Sequence, residues 1–179
     1  MTKPTHTKFA ILGLLTSGCR TGYSIKQMID ESLNHFWKIS YGQIYPTLKN
    51  LVEENLVTVN KLSEPGKPDK KEYDLTLQGW HALEDWIKSP IEELPIEKNE
   101  LLLKLFFSHH QSKDSTTKQI DHYLSKLHER FSTYEAIEQM ITHTYGEKED
   151  AKFWLITLDY GKRTTQAAIE WANETKMKL

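Results

Sequence analysis

Apolar positions along this chain recur first at helical spacing, then alternate briefly, then return to helical spacing for the whole second half. Residues 9–15, Phe9-Ala10-Ile11-Leu12-Gly13-Leu14-Leu15, are apolar nearly all round and predict a buried first helix. A turn at 17–22 leads to a second helix, with Ile25, Met28, Ile29, Leu33 and Phe36 on one side. Phe36-Trp37 should close that helix and pack beneath a third. The third begins after Ser40, whose hydroxyl can accept from a free backbone N–H of the first turn. Ile44, Leu48, Leu51 and Val52 then follow at i, i+4, i+7 and i+8. Pro46 inside that run removes one backbone hydrogen bond, at a cost of roughly 3 kcal/mol in an ordinary helix, and taken alone would split the segment.

The spacing changes at Val57. Residues 57–62 alternate apolar and polar and read as a strand, 63–70 are rich in turn residues, and 71–75 return as a second strand. Thr76 caps a fourth helix whose buried side is expected to be Leu77, Trp80, Leu83, the aliphatic stem of Glu84, and Ile87. Three helices, a hairpin and a helix make a winged helix-turn-helix domain. Residues 89–95, with two prolines, form a boundary, and all six prolines lie at or before Pro95. Beyond it come a short helix over 97–107, carrying Leu101, Leu102, Leu105 and Phe106, and a long one over 115–145. At 1.5 Å per residue the long helix spans about 45 Å. Gly146 ends it, and a last helix runs over about 150–176 with Phe153, Trp154, Leu158, Ala168 and Trp171.

The expected fold is therefore mainly α, with a winged helix-turn-helix DNA-binding domain at 1–89 and a helical, coiled-coil-like dimerisation domain at 90–179. Two such long helices have little in the chain to cover them, so their apolar seam calls for a partner copy. Ile120, Leu124, Leu127, Phe131, Tyr134, Ile141 and Trp171 are the expected dimer contacts.

The chemistry concentrates on the third helix. Opposite its apolar back stand Gly42, Gln43, Pro46, Lys49 and Asn50, with Tyr45 at the boundary and Ser40 and Tyr41 at the start. No acidic residue occurs from Ser32 through Val52, although the chain carries 25 acids against 23 bases. An amide-rich, acid-free helix front suits a DNA major groove, where Gln and Asn read base edges and Lys holds phosphate. The hairpin adds Lys61, Lys67, Lys70 and Lys71, diluted by Glu64 and Asp69. Whole-chain charge contributes little: residues 1–88 are net +1 and the remainder net −3.

Other chemistries find no support. His109 and His110 are adjacent and cannot share a helix face, and His128-Glu129-Arg130-Phe131-Ser132 lacks the second histidine of a metalloprotease helix. The run Gly13 to Gly18 is followed by Cys19-Arg20 where a phosphate-binding loop would carry its Lys and Ser/Thr. Cys19, the only cysteine, precludes an internal disulfide and reads as a small core residue in a reducing cytoplasm. No metal, cofactor, catalytic set, secretion signal or membrane span is expected.

Ser40-x-Gly42-x-Ile44-Tyr45-Pro46-x-Leu48 resembles the recognition-helix motif of the PadR family of bacterial transcriptional regulators. Gly22-Tyr23 and Lys71-Glu72-Tyr73-x-Leu75-Thr76-x-x-Gly79 extend the likeness over the first half of the chain. The resemblance implies a homodimeric repressor on double-stranded operator DNA. It adds Tyr23 to the DNA-facing set and lets Pro46 sit in one kinked or opened helix. It also implies a small, often aromatic, effector, with phenolic acids as the nearest class, and makes Trp154 and Tyr160 candidate effector contacts. The competing reading is a winged-helix interaction scaffold that binds no DNA.

Overall fold

The computed structural model describes residues 6–62, 70–94 and 96–179. Its elements run α1 (His6–Thr16), α2 (Gly22–Glu31), a 3₁₀ turn (Leu33–His35), α3 (Tyr41–Glu53), β1 (Val57–Leu62), β2 (Lys70–Leu75), α4 (Leu77–Lys88), α5 (Glu100–Phe106), a second 3₁₀ turn (Ser108–His110), α6 (Lys113–Tyr145) and α7 (Glu149–Lys178). They fall into two compact units, Met1–Glu92 and Glu93–Leu179. The mainly helical winged helix-turn-helix class is the one the hydrophobic spacing predicts. Most of the expected hairpin turn, including Lys67, and Pro95 of the expected boundary lie outside the described residues.

In the first unit α1, α2 and α3 converge on Ile11, Leu12, Ile25, Ile29, Ile44, Leu48 and Leu51, all essentially inaccessible. The C-terminus of α3 sets the path into the hairpin. Asn55 adopts a left-handed backbone with φ of 58°, tolerable for asparagine. From there its N–H donates to the Val52 carbonyl and the Leu56 N–H to the Leu51 carbonyl, a Schellman closure. The chain then turns directly into β1, which pairs antiparallel with β2 in the register Val57↔Leu75, Val59↔Tyr73, Lys61↔Lys71. Thr76 ties the return to the same corner. Its N–H donates to the Leu56 carbonyl (3.1 Å), its Oγ1 donates to the Asn55 carbonyl (2.7 Å), and the same oxygen accepts from the Gly79 N–H (3.0 Å).

Two expectations for this unit fail on burial. α4 does not bury Leu77, Trp80 and Ile87: Leu77 is 73% exposed, the other two are also exposed, and Glu84 pairs with Lys88 in solvent. Gly79 and Leu83 are the buried positions. The helix is rolled so that Gly79 lies on the Leu56 carbonyl, and Trp86 stacks on Phe9 at 4.8 Å between ring centroids. Likewise Phe36 and Trp37 do not pack beneath α3. α2 stops at Glu31, both rings are exposed, and Ile39 enters the core instead. α3 itself runs unbroken through Pro46 as a single helix.

In the second unit the long helices cover each other. Ile120, Leu124 and Leu127 of α6 pack with Ile169 and Ala172 of α7, flanked by Phe131 and Trp171. Tyr134 and Ile141 pack with Ala151 and Leu158. A Cβ at Gly161 would approach the Tyr134 ring to 3.1 Å, so glycine there lets the helices close. Lys162 donates to Glu138 across the pair (2.7 Å). Five of the seven expected dimer-seam residues are thus buried within one chain, and Phe131 and Trp171 are half-buried. The physical reason is that two amphipathic stripes of similar length satisfy one another. Large apolar side chains that remain exposed lie elsewhere, among them Leu102, Leu103, Phe106 and Phe107 around α5, and Phe153, Ile156 and Tyr160 on α7.

Candidate nucleic-acid interface

The first turn of α3 is closed by a reciprocal cap. Gln43 Oε1 accepts from the Ser40 backbone N–H at 3.2 Å and from its hydroxyl at 3.1 Å. Ser-x-x-Gln is the sequence form of this box, and it leaves the Gln43 amide NH₂ as the outward donor. Tyr41 is pinned to α2. Its hydroxyl donates to both Asp30 oxygens (2.5 and 2.6 Å), and the Lys26 ammonium lies 4.2 Å from its ring centroid. The bond to Asp30, helped by burial and by the carboxylate's charge, raises the Tyr41 pKa and keeps the phenol a donor.

One helical turn on, the Tyr45 ring lies over the start of α2. A Cβ on Gly22 would come within 2.6 Å of that ring. Thr21 and Ser24 cap α2 reciprocally, and the Tyr73 N–H of β2 donates to the Arg20 carbonyl just ahead of that cap (2.8 Å). Burial raises the Tyr73 pKa, and the Tyr45 hydroxyl adds to the shift. Gly22, Tyr45 and Tyr73, scattered in sequence, therefore form one joint holding α2, α3 and the hairpin in register.

Outward from this joint stand Tyr23, Ser40, Tyr41, Gln43, Tyr45, Lys49 and Asn50, all exposed. Lys49 leans toward Glu53 at 3.6 Å, and Lys70 pairs with Glu72 at 3.0 Å. Lys71 faces Lys61 directly across the ladder. Like charges at such a position destabilise a hairpin, so the pair invites an anionic partner. Lys26 and Asp30 are members of this surface that no motif in the sequence marks. Only the fold brings α2 to the N-terminus of α3, and Asp30 places an acid beside a helix that is acid-free in sequence.

The candidate effector residues are not brought together. Trp154 is half-buried and meets Tyr145 edge-on at 5.7 Å, whereas Tyr160 is exposed. Six helical residues put them about 120° apart around α7. Among the described residues no group of three or more His, Cys, Asp or Glu could hold a metal ion, and no helix is long and apolar enough to cross a membrane.

Comparison with known proteins matches both halves. The family model "Transcriptional regulator PadR-like family" fits residues 11–85, and "Virulence activator alpha C-term" fits residues 97–179. The negative transcriptional regulator PadR of Bacillus subtilis is 36% identical over 136 residues, covering 73% of this chain and 74% of that one. The crystal structure of Bacillus subtilis PadR in complex with operator DNA superposes with a TM-score of 0.85 at 28% identity, covering 96% of this chain and 98% of that one. The structure of the same protein with p-coumaric acid gives 0.79 at 27%, covering 96% of each.

Proposed function

The chain belongs to the PadR-like family of transcriptional regulators, and from that premise we propose that it is a dimeric, sequence-specific repressor released from its operator by a small aromatic acid. The observation that carries the DNA-binding half is Gly42. Gly42 is the second residue of α3, and glycine is a poorer helix former than alanine. Nothing in the protein requires it there, because a Cβ at Gly42 would meet no atom within 4 Å. A residue kept bare where the fold has room leaves space for something outside the fold. Gly42 lies on the exposed front of α3, beside Gln43 and one turn from Pro46.

The chemistry around it divides by role. The Gln43 and Asn50 amides suit base edges in the major groove. Tyr23, Ser40, Tyr41, Tyr45 and Lys49 suit the flanking backbone, and Lys70 and Lys71 the phosphates reached by the wing. Two such units in a two-fold dimer would read half-sites about 34–36 Å apart, or a multiple of that. The effector half rests on the solved relative bound to p-coumaric acid. A ligand of this kind acts only through unequal affinity for the DNA-competent and DNA-incompetent arrangements. The protein is a cytoplasmic regulator with no catalytic role. A scaffold that binds no DNA would leave both Gly42 and the Lys61↔Lys71 pair without a reason.

Gly42→Ala separates fold from function. The substitution should leave the fold as stable as before, or slightly more so, and lower affinity for operator DNA several-fold. Thermal unfolding and gel shifts on the region upstream of the protein's own gene measure the two effects. Undiminished operator binding by this variant would remove the argument from Gly42. For the effector, p-coumaric acid titrated into the full chain should change tryptophan fluorescence and weaken operator binding together. No response at saturation, with DNA binding intact, would eliminate the phenolic-acid release and leave the repressor standing.

A further inference from the structure

The acid-free front of α3 meets an acid that the fold supplies from α2. Asp30 is exposed on α2, and Tyr41, the first residue of α3, donates its hydroxyl to both oxygens of that carboxylate, at 2.5 and 2.6 Å. Two more side chains complete the arrangement. Lys26, one turn before Asp30, holds its ammonium 4.2 Å from the Tyr41 ring centroid. Asn34, one turn after it in the 3₁₀ segment, donates from Nδ2 to Asp30 Oδ1 at 2.9 Å. Among the described residues the Asn34 Oδ1 has no hydrogen-bond partner and is buried. Turning that amide over would set oxygen against oxygen at Asp30, so its donor side stays on the carboxylate. Lys26, Asp30 and Asn34 thus form a ladder at i, i+4 and i+8 that ends on one ring.

An exposed tyrosine ordinarily turns among several rotamers and loses that freedom when it meets DNA. Tyr41 is 49% exposed, yet its hydroxyl is held by a charge-assisted bond and one face of its ring by a cation. A contact fixed before binding gives up little freedom on binding. Tyr41 and Tyr45, one turn apart on α3, tie that helix to opposite ends of α2, at Asp30 and at Gly22. The carboxylate also has an effect of its own. Sequence-independent binding to DNA rests almost wholly on attraction to phosphate. A negative charge on the contact face subtracts from that attraction on every duplex, whereas base contacts by the Gln43 amide are made on the operator alone. An element that disfavours the wrong partner raises specificity as surely as one that favours the right one.

We propose that Asp30 is a positioning and specificity-determining residue of the DNA-binding surface. Its carboxylate sets Tyr41 at the leading end of α3 as a preformed contact, and its charge loosens the hold on DNA of any other sequence. This rests on reading α3 as the DNA-facing helix and assigns discrimination to a residue outside it. The competing account is a surface tie between two helices that stabilises the unit and does nothing on DNA. The two differ in what neutralising the charge does. A tie that loses its charge weakens the fold and all DNA binding together. A discriminating acid, once neutral, lets random DNA bind more tightly.

Asp30→Asn and Asp30→Ala in the full chain separate charge from anchoring: both are neutral, and only asparagine keeps an oxygen for the Tyr41 hydroxyl. Fluorescence anisotropy over a range of KCl concentrations, on the operator upstream of the protein's own gene and on a random duplex, is read beside melting curves. Asp30→Asn should bind random duplex several-fold more tightly, steepen its salt dependence by up to about one unit, and melt close to the parent. The ratio of operator to random affinity should fall, and fall further in Asp30→Ala. That further fall should vanish when Tyr41→Phe is added to both variants, because the anchor then has nothing to hold. Random binding by Asp30→Asn no tighter than the parent's would overturn the role of the charge. A gap between the asparagine and alanine variants that persists without the hydroxyl would overturn the positioning of Tyr41. A loss of stability and of all DNA affinity together would leave Asp30 a tie and overturn both. A parent chain that binds operator and random duplex alike would instead sink the DNA-reading role of α3.

Discussion

Gly79→Ala is expected to destabilise the first unit strongly while leaving the α6–α7 hairpin unaffected. The added Cβ would lie 2.0 Å from the Leu56 carbonyl oxygen and 3.0 Å from its carbon, both backbone atoms. Neither can step aside. Leu56 is fixed by the closure of α3, and its carbonyl already accepts the Thr76 N–H. α4 must therefore lift away, loosening the Thr76 bonds to Asn55 and Leu56 and the Trp86–Phe9 stack. Forcing an atom into a filled site costs about 1–3 kcal/mol, and each hydrogen bond lost adds about 0.5–1.5 kcal/mol. A total near 3–5 kcal/mol removes much of the ~5–15 kcal/mol that holds a typical domain together. Thermal unfolding followed by circular dichroism should show an early loss of part of the helical signal, with operator binding lost alongside it. A drop below about 1 kcal/mol would mean that α4 shifts freely and that the close contact does not define its seat.

Gln43→Glu is expected to leave the fold as stable as before, or slightly more so, and to lower operator affinity by roughly a hundredfold. Glutamate closes the same capping box on Ser40. Its charge at a helix N-terminus is favourable by about 0.3–1 kcal/mol. What it lacks is the outward amide donor, and it turns a carboxylate toward an anionic ligand. Losing a base-edge pair costs about 1–3 kcal/mol before any repulsion is counted. Gln43→Ala, by contrast, removes cap and reader together and should lose both stability and affinity. Fluorescence anisotropy on operator and on random duplex, beside melting curves, separates the two variants. If Gln43→Glu binds operator as the parent does, Gln43 is only a cap and base reading passes to Asn50.

These two positions show which parts of the protein are legible in its sequence. Ser40-x-x-Gln43 and Thr76-x-x-Gly79 are local rules, readable wherever they occur, and the helices and hairpin follow from them together with the hydrophobic spacing, whereas Pro46 by its local rule alone would split α3, which runs through it unbroken. The roll of α4 is not local. Leu77, Trp80, Leu83 and Ile87 make a convincing apolar stripe, yet the helix seats itself on Gly79, which carries no hydrophobic weight at all. The contact of Tyr41 with Asp30 is hidden for a similar reason: eleven residues and a 3₁₀ turn separate them, and no spacing rule joins them. The α6 seam misleads differently. Its apolar pattern is real, but a pattern does not say which helix covers it, and α7 of the same chain takes the place expected of a partner.

One core residue gives the first unit a clock of its own. Cys19 is buried, 6% exposed, and it is the only cysteine among the 179 residues. A thiol reagent in solution can reach it only when the structure around it opens. The rate at which the native chain is labelled therefore counts openings of the first unit and ignores every motion of the second. Any ligand that binds only the closed form slows that rate by its linkage factor, one plus its concentration over Kd. Modification of a single sulfur atom, followed by mass spectrometry, thus gives the grip of DNA or effector on this unit without a dye, a tag or a substitution.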